Sequence, residues 1–129
     1  METLHHKVKR LLDFCFQTLQ HCHVEKTESH RYDLKVELFK ALSNPMRIAL
    51  LEKLKDRPRC VCELASELGI NKSVASKHLS QLKAAGIIED EKRGTLVEYR
   101  LLVPCVLEMA DCAETNVRLN KRRRLEESE

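Results

Sequence analysis

Turn-formers and strand-formers are scarce in this chain: three Gly, three Pro, no Trp, and aromatic residues at 4% of 129. Secondary structure is therefore expected to be mostly helical. No apolar run is long enough to cross a bilayer, because charges interrupt every candidate segment, so no membrane partner is expected. The chain starts Met1-Glu2-Thr3-Leu4-His5-His6, without the basic start, apolar stretch and small-residue cleavage site of a secretory signal, which points to the cytoplasm. A Gly-rich phosphate loop is absent, as is any convergent set of nucleophile, base and orienting group, so an enzyme is not expected. Length excludes long tandem repeats, multidomain enzymes and large α/β folds.

What is present suits one compact domain: 43% apolar and 33% charged residues, with 23 Lys+Arg against 20 Asp+Glu and a net charge of +3. Leu4, Val8, Leu11, Cys15, Leu19 and Cys22 recur at spacings of three or four, the face of an amphipathic helix. Glu25 to Arg31 reads as a polar connector. A second helix is expected over Asp33–Leu42, with Leu34, Leu38 and Leu42 on one side. Asn44 is a suitable N-cap and Pro45 a suitable first residue for a third helix carrying Ile48, Leu50, Leu51 and Leu54.

After the Asp56-Arg57-Pro58-Arg59 break, Val61, Leu64, Ala65 and Leu68 form an i, i+3, i+4, i+7 stripe that closes on Gly69. Lys72–Ala85 then turns Ala75, Leu79 and Leu82 inward and ends at Gly86. Two short helices joined by a three-residue turn containing Gly form a helix-turn-helix pattern. Two β-like runs follow, Ile87–Asp90 and Leu96–Leu101, and the intervening Glu91-Lys92-Arg93-Gly94-Thr95 makes a hairpin with a basic tip. Pro104 opens a last helix reaching about Asn120, and 121–129 reads as a polar, frayed tail.

Overall charge says little about partners, but the distribution of acids says more. No Asp or Glu lies between Leu68 and Ile88, where this composition predicts about three, while Lys72, Lys77 and Lys83 all fall there. Ser73, Ser76, Lys77 and Ser80 share the face opposite the apolar stripe. Short hydroxyls let a helix approach base edges, and lysines meet phosphates or guanine. With Lys92 and Arg93 on the adjoining hairpin, the unit suits double-stranded DNA.

Four segments in order resemble the ArsR/SmtB repressors: Glu37-Leu38-Phe39-Lys40-Ala41-Leu42-Ser43-Asn44-Pro45-Met46-Arg47, Cys60-Val61-Cys62-Glu63-Leu64, Ser73-Val74-Ala75-Ser76-Lys77-His78-Leu79, and the strand from Gly94 to Leu101. The resemblance covers about residues 33–118. It implies a mainly α fold with a small β-hairpin wing, a dimeric winged helix-turn-helix, and a repressor that leaves its operator when an inducer binds. It also implies that Lys72, Ser73, Ser76 and Lys77 occupy positions used on DNA. The chain then divides into an N-terminal helix and connector (1–31) acting as a dimer or sensor arm, a winged domain with a C-terminal dimerisation helix (32–120), and the tail (121–129).

Six Cys in a reducing compartment are read as ligands, redox sensors or buried thiols rather than as a disulfide framework. In a regular helix i and i+2 side chains point about 200° apart, so Cys60 and Cys62 can share an ion only if Cys60 lies at or outside the N-cap. A helix N-terminus with Arg57 and Arg59 nearby favours thiolate. Similar repressors carry Cys-Val-Cys here for soft ions, which implies arsenite or antimonite, or cadmium or lead, as inducer.

Two thiolates are too few for a trigonal or tetrahedral site. Cys15 is the first choice for an added ligand and Cys22 the second, if the N-terminal helix crosses to the partner subunit. Cys105 and Cys112, seven apart like Cys15 and Cys22, extend an apolar seam toward Leu119 and are the candidates for a redox alternative. In that reading a disulfide joins Cys15 or Cys22 to Cys105 or Cys112. His5, His6, His21 and His23 are weaker candidates for a borderline ion. After Leu101 there is no His, so the paired Asp and His ligands that zinc or nickel sensors of this family carry on the last helix are missing.

Overall fold

A computed structural model describes residues 26–128. The chain up to Val36 and the chain from Glu37 onward form two separate compact units. The expected helix over Leu4–Cys22, with Cys15, Cys22, His5, His6, His21 and His23, lies outside the described residues. Helix α1 runs Lys26–Leu42, so the segment read as a connector is helical from Lys26. Its polar composition carries no apolar stripe, which hid the helix, yet nothing in it breaks one. Of the expected stripe, Leu38 and Leu42 pack on the core, whereas Leu34 is 78% exposed.

Helix α2 is Pro45–Leu54, and its start has a local cause. Asn44 is extended and its Oδ1 accepts from the backbone N–H groups of Met46 at 2.9 Å and Arg47 at 3.2 Å, while Pro45 fills a position that needs no donor. Leu50, Leu51 and Leu54 are buried, but Ile48 is exposed. A two-residue strand β1, Arg59–Cys60, leads into α3, Val61–Leu68. The strand was not legible in the sequence, because two residues carry no period.

Gly69, with φ of 64°, ends α3 in the left-handed conformation, which a residue with a Cβ adopts only at a cost. Helix α4 spans Lys72–Ala84. The hairpin is β2, Ile88–Arg93, and β3, Leu96–Leu101. The sheet order is β1-β3-β2, all antiparallel, with Cys60 opposite Glu98 and Arg93 opposite Leu96. Only Gly94 and Thr95 form the turn, Gly94 taking a φ of 63°, which suits the first central position of a two-residue hairpin loop. Glu91, Lys92 and Arg93 therefore belong to the strand, not the tip.

Helix α5 is Cys105–Glu126, so the basic run expected to fray continues the helix. Ion pairs one turn apart support it: Arg118 Nε donates to Glu114 Oε1 at 2.9 Å and Arg122 lies 3.4 Å from Glu126. Arg123 and Arg124 also sit in its last turn, where the helix dipole favours cations.

The core gathers one side of every element from α1 to the start of α5. Leu50, Leu51, Leu64, Leu79, Leu82, Ile87, Ile88 and Leu107 are its largest fully buried side chains. Burying each contributes about 1.5–3 kcal/mol, enough to fix α3 and α4 as a rigid pair. Beyond Val106 and Leu107, α5 leaves its apolar residues Met109, Val117, Leu119 and Leu125 exposed. Among the described residues no helix is long and apolar enough to cross a membrane.

Candidate nucleic-acid interface and thiol site

Helix α4 is seated by Ala75, Leu79 and Leu82, all at 0% exposure. The side chains proposed for DNA spread over an arc of about 140° beside that stripe, counting 100° per residue. Lys72, Ser73, Lys77 and Ser80 are exposed and Ser76 is half-buried. The helix has no acidic residue in its first turn, and Asn71, its N-cap, makes no side-chain bond to it. The N-terminal N–H groups and the positive end of the dipole thus face outward beside Lys72 and Ser73. The Ser80 hydroxyl donates to Ser76 O at 2.9 Å, which leaves its oxygen as an acceptor only.

The wing is less basic than the sequence suggests. Arg93 lies 3.6 Å from Glu91 and 3.5 Å from Glu98, and Arg100 pairs with Glu89 across the hairpin. Lys92 is exposed. Lys83 at the end of α4 holds Asp90 of β2 at 2.6 Å. Each partner keeps the other charged: the Lys83 ammonium lies above its ordinary range and the Asp90 carboxyl below its own. This pair ties helix to wing.

Cys60 is the N-cap of α3, extended at φ −79° and ψ 161°. That is the backbone position from which two sulfurs at i and i+2 can approach each other. Cys60 is buried and its thiol donates to Glu63 Oε1 at 3.7 Å, while Cys62 is half-buried. The Cys62 thiol is lowered from its ordinary range first by the ammonium of Lys72, which outweighs partial burial, and then by the Cys60 thiol and its own backbone N–H.

The cation that favours thiolate is thus Lys72, ten residues along the chain. Arg57 and Arg59, expected to do this, are spent on Glu63 and Glu67. Arg57 and Glu63, 2.7 Å apart, hold each other charged. No local pattern signalled Lys72, which opens α4 ten residues after Cys62 and on the far side of the turn at Gly69.

A depressed thiol is ionised, and so nucleophilic, at lower pH than an ordinary one. Iodoacetamide modification of Cys62, followed by peptide mass mapping, should therefore show a rate that rises at lower pH in the native chain than in Lys72→Met. Superimposable profiles would remove Lys72 from the thiol's surroundings.

Cys105 and Cys112 are exposed on α5, and all four described cysteines are free. Asn116 Nδ2 donates to Cys112 O at 2.8 Å and lies 3.8 Å from its sulfur. Two sulfurs seven residues apart on one helix are separated by about 10.5 Å of rise, so they do not converge. Among the described residues no group of three or more His, Cys, Asp or Glu is arranged to hold a metal ion. Cys60 and Cys62 fit a soft ion in donor type but not in donor number.

A two-helix motif with an exposed Ser/Lys face, followed by a β-hairpin packed at its side, defines a winged helix-turn-helix of the DNA-binding kind. The family model described as bacterial regulatory protein, arsR family, matches residues 44–90. The HTH-type transcriptional repressor SmtB of Mycobacterium tuberculosis is 44% identical over 69 residues, 54% of this chain and 51% of its own. The match thus spans about half that relative's length. The uncharacterised HTH-type transcriptional regulator Rv0081 of the same species is 38% identical over 79 residues, 60% of this chain and 69% of its own. Its crystal structure superposes with a TM-score of 0.62 at 34% identity, covering 73% of this chain and 95% of that one. The AntR antimony-specific transcriptional repressor gives a TM-score of 0.59 at 28% identity, covering 78% and 88%. The chain belongs to the ArsR family of bacterial regulatory proteins.

Proposed function

We propose that the chain is a DNA-binding transcriptional repressor, acting as a homodimer in the cytoplasm, that leaves its operator when a soft metal or metalloid binds Cys60 and Cys62. Arsenite or antimonite, or else cadmium or lead, would be the ion. Cys15 or Cys22 would complete the donor set. DNA would be met by Lys72, Ser73, Ser76 and Lys77, with Ser80 as an acceptor and Lys92 on the wing. Arg93 would contribute only by leaving Glu91 and Glu98.

The observation that carries this reading is the pair Cys60 and Cys62 at the head of α3, with Cys60 as its extended N-cap, and the Cys62 thiol lowered first by Lys72, the opening residue of α4. One side chain thereby belongs to the thiol site and also to the first turn of the helix assigned to DNA. An ion on Cys62 takes the sulfur's charge and brings a positive centre next to Lys72, which disfavours the arrangement that DNA requires. Repression is supported by what SmtB and AntR are named for, and dimerisation by Met109, Val117, Leu119 and Leu125, exposed along α5.

The test is to titrate reduced protein, bound to its operator duplex, with arsenite, cadmium, lead and zinc. Thiolate-to-metal absorption is followed alongside DNA release. Soft ions should produce both signals at the same stoichiometry and zinc should need far higher concentration. Absorption without release would break the link between site and DNA.

The exposure of both Cys105 and Cys112 favours a second reading, in which oxidation joins one of them to Cys15 or Cys22 and an ion plays no part. Intact mass after mild oxidation, with and without reductant, separates the two.

A further inference from the structure

An open cleft of about 410 Å³ lies between the last turn of α1 and the end of α4, lined among others by Lys40, Ala41, Arg47, Gln81, Ala84 and Ala85. The alanines leave this space where larger side chains would have packed the two helices together. The Arg47 guanidinium crosses it. Nε donates to Ala41 O and Nη2 to Lys40 O at 2.9 Å, both in the last turn of α1, where helix carbonyls lack intrahelical donors. Nη1 donates to Gln81 Oε1 at 2.6 Å, on the solvent side of α4. Because Asn44 Oδ1 also accepts from the Arg47 backbone N–H at 3.2 Å, the root of the side chain is fixed as well as its tip.

We infer that Arg47 is a positioning residue for DNA recognition, a rigid fork that holds the end of α4 against the last turn of α1 through Gln81. This rests on the reading that α4 is the helix that meets DNA. Apolar contact on the α1 side is thin, since Ala41 is its one buried residue among those described and Leu38 and Leu42 are half-buried. The separation of the two helices is thus set by a planar five-donor group rather than by interlocking methyls. Arg47 itself need not touch DNA, and Gln81 lies just past Lys77 at the border of the polar arc.

The experiment is a double-mutant cycle of Arg47→Met and Gln81→Leu, read as affinity for the operator duplex recovered by selection from a random pool with the native chain. Loss of the bridge should weaken operator binding about tenfold in Gln81→Leu, a usual size for coupling carried through a protein, with only a small fall in melting temperature because the pair is exposed. In the Arg47→Met background the same substitution should cost nothing further, since its partner is already gone. Additive losses would mean that Gln81 acts on DNA directly, and a native affinity for Gln81→Leu would mean that the bridge positions nothing; either overturns the proposal. If Arg47→Met does not fold, Gln81→Glu takes its place: it keeps an acceptor for the guanidinium and should recover the affinity that Gln81→Leu loses, and failure to recover it is equally fatal. A native chain that selects no duplex overturns the assignment of α4 to DNA, and this proposal with it, whereas a native chain that binds while the cycle is additive overturns this proposal alone.

Discussion

Cys62→Ser is expected to bind operator DNA as the native chain does and to remain on it when arsenite or cadmium is added. The hydroxyl is close in size to the thiol it replaces, and the position is half-buried on a helix whose seat is made by Leu64 and Ala65, both buried. Stability and DNA affinity should therefore change little. A serine oxygen, however, stays protonated at neutral pH and is a poor ligand for a soft ion. Inducer coupling commonly amounts to about 1–3 kcal/mol, roughly 5- to 150-fold in affinity, and all of it should be lost. Fluorescence anisotropy of a labelled duplex, with and without ion, measures both quantities on one sample. Cys112→Ser, changed on the exposed face of α5, should release normally. Normal release from Cys62→Ser would take the Cys60–Cys62 pair out of the sensing account altogether.

The helices and their joints were legible where a residue acts alone through backbone chemistry. Asn44-Pro45 announced the start of α2, Gly69 the end of α3, and the stripe of Ala75, Leu79 and Leu82 the seated face of α4. Each follows from local geometry that no distant contact overrides. What escaped was set by partners far along the chain. β1 exists because Arg59 and Cys60 find Tyr99 and Glu98 across the sheet, and a strand of two residues leaves no pattern to read.

The two arginines before Cys60 were sound electrostatic candidates, but Glu63 and Glu67 on the same helix captured them. Charge counted along a sequence cannot show which cation is already paired. The same reason reduces Arg93 from a free wing contact to a member of an acidic cluster with Glu91 and Glu98. The 121–126 segment erred the other way: a run of charge reads as solvated tail, yet ion pairs one turn apart and a favourable dipole continue the helix through it.

Leu79→Ala should give a large loss of stability for a single change on α4. The side chain is fully buried in the cluster that joins Leu50, Leu51 and Leu54 of α2 to Leu64 of α3 and Ile87 and Ile88 at the root of the wing. Truncation removes its transfer free energy and leaves a cavity that helices tied at both ends cannot close. The expected cost is about 2–5 kcal/mol, against a total of about 5–15 kcal/mol for a domain.

Urea unfolding at a fixed protomer concentration should show the midpoint falling with an unchanged slope, since the surface exposed on unfolding is nearly the same. Lys77→Ala, two residues away and exposed, provides the contrast: its stability should stay within about 0.5 kcal/mol of native while its operator affinity weakens and becomes less sensitive to salt. On the proposed function one helix would then carry two separable duties, with Leu79 holding the element in place and Lys77 meeting the phosphates. A Leu79→Ala cost below about 1 kcal/mol, well under the range for a buried leucine, would mean that α4 is not seated on this core, and the orientation of Ser73, Ser76 and Lys77 argued from that seat would have to be abandoned.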